Sequence, residues 1–407
     1  MADLPPQHPT TIENIPGELL SEILIRVPAK PLARMRSVSK PWNHLLSQPS
    51  FIKYHLHLSL HNKKDEILLV LLSGNYDDLF SITTHSSQSP RLELPDFIKP
   101  PAIPPSANDN LTFFGSVNGL ICYGFRTPSD FIIQIWNPSL SAVLTLPPFN
   151  ALDGFIFNDS TYELHFRFGY DPKTDDYKLV KLMSFTLPPV NDPGMTYFVQ
   201  AKRCFTRVVN DVEEVEVYSM RNGSWKLIEN RLPLHVREIV DEEVVCVDGQ
   251  DGILHWFGIV SENGWLSMQT IVTFDLSVES FGEICLPNSV IGRYWDGLGV
   301  YGGKLCVMSF NKRRDCEVWV MDDYGVAESW TKIRMFSDFG DDKDPYGFTS
   351  SNKFLFSVYW SETDYDHLKI YEPGTEKVES FKTMARERYC TKIVRYVESL
   401  VWVAPAN

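Results

Sequence analysis

The chain has 407 residues, of which 43% are hydrophobic and 22% are charged, and its formal net charge is −14. This composition is typical of a globular protein with room for one large domain, and it argues against an intrinsically disordered chain. No apolar run reaches the roughly 18 residues that a membrane helix needs, so no membrane partner is expected. Residues 1–11 also lack the basic and apolar regions of a signal peptide. We therefore expect a protein of the cytosol, the nucleus or both.

Charge is unevenly distributed along the chain. Residues 1–64 carry eight Lys and Arg against four Asp and Glu, whereas residues 65–407 carry 30 against 48. Phosphate neutralisation supplies much of the affinity for nucleic acid, so the acidic larger part is not expected to bind it. The basic segment suits an acidic partner. The seven cysteines are scattered singly, which indicates small buried hydrophobes rather than a disulfide or zinc framework.

The N-terminal part of the chain has helical periodicity. Within residues 19–27 the apolar positions recur at i, i+1, i+4, i+5 and i+8, which is one stripe along a helix. Pro28 ends this helix. A second helix is predicted around residues 31–35 and a third around residues 42–46, where Pro49 is expected to stop it. Three helices of this length enclose little core, so part of their apolar surface is expected to be covered by another protein.

The same segment carries an ordered set of short motifs. They are Ile15-Pro16, Glu18-Leu19-Leu20, Glu22-Ile23-Leu24, Pro28, Val38-Ser39-Lys40, Trp42, Leu45-Leu46 and Phe51. In this order they resemble the F-box, with Ile15 in place of the usual Leu before Pro and Val27 in place of the usual Leu before Pro28. We place the F-box at residues 10–58 and a linker at residues 59–66.

The resemblance implies a partner, because an F-box docks on a Skp1-like adaptor and through it on a cullin. The implied contacts are Ile15, Pro16, Leu19, Leu20, Ile23, Leu24, Val27, Pro28, Leu32, Val38, Trp42 and Leu45. Some of these side chains must also hold the helices together, and the sequence does not divide the two roles. If Leu24 belongs to the docking face, Leu24→Asp is expected to abolish adaptor binding while the large domain that follows the F-box stays folded.

From residue 67 onward the chain consists of short β-branched and aromatic runs bounded by Gly, Asn, Asp or Pro, which predicts an all-β domain over residues 67–404. A strand that ends in an aromatic residue or Met and a polar turn recurs at spacings of 56, 82, 56, 47 and 50 residues. These anchors are Phe80-Ser81, Trp136-Asn137, Tyr218-Ser219, Phe274-Asp275, Met321-Asp322 and Tyr371-Glu372. Such a period is typical of propeller blades, and six anchors predict six blades.

The two ends of the β region look incomplete. Residues 392–403 hold strand material without a blade of their own, and residues 67–95 hold less than a full blade. We predict that the C-terminal strands pair with the first blade, because a shared sheet removes an exposed edge. The expected fold is therefore mainly β, with a three-helix F-box before a six-bladed propeller.

A second group of motifs covers most of this domain. They are Phe168-Gly169-Tyr170-Asp171, Asp176-Tyr177-Lys178-Leu179-Val180, Ser224-Trp225-Lys226, Leu254-His255-Trp256, Phe274-Asp275-Leu276 and Val318-Trp319-Val320-Met321. They resemble the F-box-associated, kelch-like domain of a large plant family. The resemblance implies that the propeller binds a target protein.

Several short motifs match catalytic or cofactor-binding patterns but lack the neighbouring elements that those sites require. Gly297, Gly299 and Gly302 spell GxGxxG, yet they lead into a predicted strand, and no helix N-terminus follows to bind a pyrophosphate. Asp338-Phe339-Gly340 spells the kinase metal triplet without the other kinase motifs. Acidic residues are plentiful, but none stands in a recognisable catalytic setting. We predict no catalytic residue and no cofactor.

Two clusters could in principle bind a metal. The aspartates of residues 338–344 follow no EF-hand spacing, so a solvated acidic loop is favoured. His55, His57 and His61 are close in sequence, but no third or fourth ligand can be named beside the last two. We predict no metal site.

Arg293, Tyr294 and Trp295 are the best candidates for target binding, because these residue types dominate interface hot spots. The alternative is that the two aromatic side chains pack between blades. The longer insertions at residues 149–161, 188–210 and 261–268 are further candidates, since loops on a rigid scaffold often carry recognition.

The sequence is compatible with three functions. The two resemblances favour the substrate-recognition subunit of a Skp1–cullin–F-box (SCF) ubiquitin ligase, which is not itself an enzyme and binds an unidentified target. One alternative is a propeller-based enzyme that acts on a sugar or small metabolite. The other is an F-box protein that binds its partners outside a ligase.

Overall fold

The computed structural model describes residues 15–62, 66–74, 81–88, 94, 108–127, 130–149, 162–186, 209–229, 231–240, 251–262, 265–287, 290, 297–310, 315–336, 343–360, 365–381 and 388–404. Helices come first and strands follow. The helices are α1 Gly17–Leu24, α2 Ala29–Met35, α3 Lys40–Leu46 and α4 Pro49–His61. Among the described residues, none of the helices has the length and apolar character to cross a membrane.

The structure has a fourth helix where the sequence predicted three. Pro49 ends the run that contains α3, as expected, but it is also the first residue of α4. A proline is tolerated at this position because the first N–H groups of a helix have no intrahelical acceptor and because its φ angle is already helical. The start of α3 is capped by Ser39, whose hydroxyl accepts a hydrogen bond from the backbone N–H of Trp42 at 3.3 Å.

The regular elements that follow are β-strands, apart from a short 3-10 helix at Ala327–Ser329. The strands are β1 Ile67–Gly74, β2 Ser81–Ser86, β3 Asn108–Val117, β4 Leu120–Arg126, β5 Phe131–Asn137, β6 Ala142–Thr145, β7 Tyr162–Asp171, β8 Asp176–Thr186, β9 Val209–Ser219, β10 Ser224–Ile228, β11 Val236–Val240, β12 Ile253–Glu262, β13 Trp265–Asp275, β14 Ser280–Cys285, β15 Gly297–Tyr301, β16 Lys304–Phe310, β17 Cys316–Met321, β18 Trp330–Phe336, β19 Lys343–Phe348, β20 Phe354–Trp360, β21 Tyr365–Glu372, β22 Lys377–Ser380 and β23 Arg388–Tyr396.

The strands form the six blades of a β-propeller, as predicted. Five blades are antiparallel sheets of four consecutive strands: blade I is β3–β6, blade II β7–β10, blade III β11–β14, blade IV β15–β18 and blade V β19–β22. Blade VI is a three-stranded sheet in the order β2-β1-β23. Its strands β1 and β23 pair antiparallel from Ile67 opposite Tyr396 to Gly74 opposite Arg388. The first and last strands of the β domain therefore share one sheet.

Each blade buries both faces against its neighbours. Six clusters of buried side chains fill the interfaces I/II, II/III, III/IV, IV/V, V/VI and VI/I. Strand β1 shows the alternation that this requires, because successive side chains of a strand point to opposite faces. Leu68 and Val70 pack towards blade V, whereas Ile67 and Leu69 pack towards blade I. The clusters link the blades into a closed ring.

The anchors recognised in the sequence have a common place in the structure. In blades I to V the anchor lies at the end of the third strand. In blade I the side-chain Oδ1 of Asn137 accepts hydrogen bonds from the N–H groups of Ser139 at 2.9 Å and Leu140 at 3.3 Å. A polar residue is needed there to satisfy the turn. The remaining anchor, Phe80-Ser81, differs. Ser81 is the first residue of β2 rather than the end of a strand, and Phe80 lies outside the described residues.

Tryptophans of two outer strands bond to the preceding blade. Nε1 of Trp225 in β10 donates to the carbonyl of Pro147 at 2.8 Å, and Nε1 of Trp330 in β18 donates to the carbonyl of Cys285 at 2.9 Å. Both acceptors belong to the segment that leaves the outer strand of the neighbouring blade. Each indole therefore joins two blades by a directional bond as well as by apolar contact.

We expect Trp330→Phe to lower the free energy of unfolding by about 1 to 2 kcal/mol, because it removes the indole donor and keeps an aromatic ring. Urea denaturation of the purified protein measures the loss. Trp402→Phe is the matched control, since Trp402 is 58% exposed and its replacement should change stability by less than about 0.5 kcal/mol. Equal stability of the two variants would contradict the assigned role of the indole bond.

Candidate functional site

The four helices have a small core of their own. Leu24 and Leu32, which the resemblance placed among the adaptor contacts, are 3% and 0% exposed. Other members of this core are Ile25, Ala29, Leu46 and Phe51. A substitution at Leu24 or Leu32 would therefore disturb the fold of the helices before it tested any contact with a partner.

Three other predicted contacts form what we call the exposed F-box patch: Leu19, Ile23 and Val38. Their side chains are 57%, 55% and 73% exposed. Leu19 and Ile23 are four residues apart on α1 and so lie on the same side of the helix. The helical core is complete without these three side chains, which lie on the surface of the helices.

The remaining predicted contacts are half-buried or are exposed prolines. Half-buried against the helical core are Leu20, Val27, Trp42 and Leu45. Ile15 is half-buried, and Pro16 and Pro28 are exposed. The structure thus divides the roles that the sequence left joined: Leu24 and Leu32 build the helical core, and the exposed F-box patch is open to a partner.

The helices rest directly on the propeller. Leu400, which follows β23, is fully buried within the helical core, and Leu140 of the β5–β6 turn packs against the same core. On α4, Nζ of Lys53 lies 2.8 Å from Oδ2 of Asp175 in the β7–β8 turn. Sequence reasoning missed these residues, because contacts between positions so far apart leave no local pattern.

The turns that meet the helices share one face of the ring. They join the first strand of a blade to the second or the third strand to the fourth, and in an antiparallel sheet such turns lie along the same edge. We call this side the F-box face. The connections from the second strand to the third, and from one blade to the next, leave from the opposite face.

The predicted target-binding residues Arg293, Tyr294 and Trp295 lie outside the described residues, as do most of the insertions at residues 149–161 and 188–210. The strand ends on either side of the insertion at residues 188–210 can be placed. Thr186 ends β8 and Val209 begins β9, which are the second and third strands of blade II. These ends therefore belong to the opposite face.

The GxGxxG motif proves to be a strand, a turn and a second strand. Gly297 and Gly299 lie in β15, and Gly302 has a φ angle of +60° in the turn that leads to β16. No helix follows these residues before β16, so the glycines lead directly into a strand, as predicted. At Gly299 an added Cβ would lie 3.1 Å from Sγ of Cys306, so close packing between strands explains this glycine.

The three neighbouring histidines do not form a metal site. His55 is buried, and its Nε2 lies 2.9 Å from the carbonyl of Val27. The rings of His57 and His61 are in contact on the surface of α4, with centroids 4.1 Å apart and planes tilted by 34°. Burial lowers the pKa of His55. Among the described residues, no group of three or more His, Cys, Asp or Glu could hold a metal ion. Most aspartates of residues 338–344 lie outside that part of the chain.

A cleft lies between the end of α4 and the propeller. Ser59, Asn62, Glu66 and Ser350 are among its lining residues. Both carboxylate oxygens of Glu66 accept from the backbone N–H of Ser350, at 3.0 and 3.2 Å. Glu66 therefore stabilises the junction between blades V and VI and has no second carboxylate beside it in the cleft lining.

A buried histidine in the propeller makes stability dependent on pH. His255 in β12 is 9% exposed, and its Nε2 lies 2.9 Å from the hydroxyl of Tyr324. Burial, and secondarily the positive charge of Arg167, lower the pKa of His255 from 6.5 to about 4. The unfolded chain therefore binds a proton at higher pH than the folded chain does, and protonation favours unfolding.

We expect this contribution to be complete above pH 6.5 and to be lost as the pH falls towards 4, by roughly 2 to 3 kcal/mol at pH 4.5. Urea unfolding at pH 7 and pH 4.5 measures it. In His255→Gln, which does not titrate, the decline between these two pH values should be smaller by that amount. An unchanged decline would contradict the assignment.

Comparison with known proteins gives the same two parts. The family model of the F-box domain matches residues 12–54, and that of the F-box associated beta propeller domain matches residues 67–398. F-box protein CPR1 of Arabidopsis thaliana is 29% identical over 330 residues, which are 79% of this chain and 72% of that protein. Two further proteins of that plant are similar: F-box protein At4g22390 is 27% identical over 78% of this chain and 73% of its own, and F-box/kelch-repeat protein At3g23880 is 26% identical over 79% of each.

The matches coincide with the observed architecture. The first covers all of α1 to α3 and the start of α4, and the second covers the six blades from β1 to the end of β23. The propeller match alone spans most of the chain. The chain therefore belongs to the family of F-box proteins that carry an F-box associated β-propeller domain.

Proposed function

We propose that this protein is the substrate-recognition subunit of an SCF ubiquitin ligase in the cytosol, the nucleus or both. The exposed F-box patch binds a Skp1-like adaptor and through it a cullin, and the propeller binds a target protein for ubiquitination and degradation. The observation that carries the proposal is the apolar patch of Leu19, Ile23 and Val38 on a helical domain whose core is already complete.

Such a subunit needs no catalytic residue. It accelerates ubiquitin transfer by holding the target close to a conjugating enzyme, which converts an encounter in solution into a reaction within one complex. Two features that could suggest chemistry have structural roles, since Gly299 allows close packing of β15 on β16 and the carboxylate of Glu66 is engaged by a backbone amide. The excess of basic residues before residue 65 adds an electrostatic contribution to docking on an acidic adaptor.

The opposite face of the propeller is the surface that we assign to the target. The helices cover part of the F-box face through Leu140, Leu400 and Asp175. On the other side, the long connections of blades I and II begin and end at described strand termini such as Thr186 and Val209. Long loops on a rigid ring commonly carry recognition.

Reconstitution tests the proposal. The purified full-length chain should be retained by an immobilised Skp1-like adaptor, should recruit a cullin with its RING partner, and should support ubiquitin chain formation on a protein captured by the propeller. Omission of the chain should abolish modification of that protein. Failure of the adaptor to retain the folded chain would contradict the proposal, and turnover of a small metabolite by the propeller would favour an enzyme instead.

A further inference from the structure

We propose that the C-terminal segment, residues 397–403, is the positioning element that holds the F-box in one orientation on the propeller. The functional consequence of this inference rests on the proposed function, because the orientation determines where the target lies relative to the ubiquitin donor. The geometric part of the inference stands on contacts within this chain alone.

One side of the segment is bonded to blade I. Nδ2 of Asn137 donates to the carbonyls of Ser399 at 3.1 Å and Val401 at 2.7 Å. The hydroxyl of Ser139 lies 2.6 Å from that of Tyr396 and accepts from the backbone N–H of Ser399 at 3.2 Å. Ser399 is fully buried, so these bonds are shielded from water and fix the path of the segment across the β5–β6 turn.

The other side of the segment belongs to the F-box. Leu400 is 0% exposed and packs among the buried side chains of the helices. Oε2 of Glu398 accepts a hydrogen bond from the backbone N–H of Ala29 at 2.9 Å. Ala29 is the first residue of α2, where N–H groups lack helical acceptors and the helix dipole favours a negative charge. The segment therefore supplies a core residue and a capping carboxylate to a domain at the other end of the chain, since Ala29 and Glu398 are 369 residues apart.

A glycine lets the segment lie this close to the propeller. Gly119, in the β3–β4 turn, has a φ angle of +76°, and a Cβ added there would lie 2.3 Å from Cβ of Ser399 and 2.6 Å from the carbonyl oxygen of Val397. No side chain fits in that space. Any residue other than glycine at position 119 must displace the segment.

A second contact between the helices and the propeller lies on α4. Lys53 on α4 pairs with Asp175 of blade II at 2.8 Å, whereas Leu400 and Glu398 hold the core and the start of α2. The Lys53 and Asp175 side chains are 62% and 44% exposed, so this pair contributes little to stability by itself. The pair therefore supports the orientation only weakly, and Leu400 and Glu398 provide most of the attachment.

The experiment measures the distance between the two domains in the full-length chain. Spin labels are introduced as genetically encoded amino acids at Glu18 on α1 and Lys377 on β22, both exposed, and pulsed electron resonance gives the distance distribution. The unchanged sequence should give one narrow distribution. Gly119→Ala and Leu400→Ala should at least double its width or shift its maximum.

Two matched controls isolate the cause. Gly303→Ala places the same side chain at a similar φ angle of +81° where no atom lies within 4 Å, and Trp402→Ala removes an exposed side chain of the same segment. Both should keep the narrow distribution. Gly119→Ala replaces no side chain of the helical core, so it decides the question even if Leu400→Ala unfolds the helices. A narrow, unshifted distribution in Gly119→Ala would overturn the inference.

The functional consequence has a separate readout. Gly119→Ala should retain a Skp1-like adaptor with an affinity within about threefold of the unchanged chain, because the exposed F-box patch is intact, while ubiquitin transfer to a bound target falls several-fold. If the unchanged chain binds no adaptor, the proposed function fails while the distance result still decides the positioning role. Adaptor binding with an unaltered distance would retain the function and reject the positioning role.

Discussion

Ile23→Asp is expected to weaken binding of a Skp1-like adaptor by about 100-fold or more, because a carboxylate placed in an apolar contact loses water without gaining a partner. Ile23 is 55% exposed, so the folded state should tolerate the charge. Leu19→Asp on the same side of α1 should act alike. Affinity measured by calorimetry with purified adaptor, together with circular dichroism of each variant, gives both quantities.

Leu24→Asp and Leu227→Asp are the controls for this experiment. Leu24 is 3% exposed, so its replacement should unfold the helices, and any loss of adaptor binding would report on the fold. Leu227 in β10 is 58% exposed, which matches Ile23, and Leu227→Asp should leave adaptor binding unchanged. Full adaptor affinity in Ile23→Asp and Leu19→Asp, with both proteins folded, would exclude the exposed F-box patch as the docking surface.

Lys181→Met is expected to lower the free energy of unfolding by about 3 to 5 kcal/mol, the largest stability effect of any single exchange proposed for the propeller. Lys181 is 0% exposed in β8, and its Nζ lies 2.5 Å from Oε2 of Glu216 and 3.1 Å from Oε1 of Glu214. Met has a similar volume but no charge. Glu216, also 0% exposed, then keeps a buried charge without this cation. Urea denaturation measures the loss.

Lys304→Met is the matched control for the buried pair. Nζ of Lys304 lies 2.8 Å from Oδ1 of Asp322, but these side chains are 48% and 46% exposed, so the exchange should cost less than about 1 kcal/mol. The double variant Lys181→Met with Glu216→Met should recover much of the loss, because it removes the buried carboxylate together with the lysine. A loss in Lys181→Met no greater than in Lys304→Met would contradict the importance of burial.

The periodic parts of the molecule could be predicted because their causes are local. The stripe in residues 19–27 identifies a helix that has one apolar side, and α1 occupies most of it. In the propeller, aromatic side chains end the third strand of a blade, and polar side chains such as Asn137 satisfy the turn that follows. Each of these patterns depends on neighbours within a few residues. Pro49 shows the limit, because a proline that stops one helix can also begin the next.

By itself, the sequence determined that a helical part is followed by a β part. It also determined the number of blades and the resemblance to the F-box and its associated propeller. Only the tertiary structure decided what each apolar residue of the helical part does. Ile23 and Leu24 are adjacent in one stripe, yet one is 55% exposed and the other 3%. The difference depends on which atoms cover them, and Leu400, from the other end of the chain, helps to complete the core that contains Leu24. A contact of that kind is invisible to periodicity, because burial is a property of the packed chain and not of spacing along it.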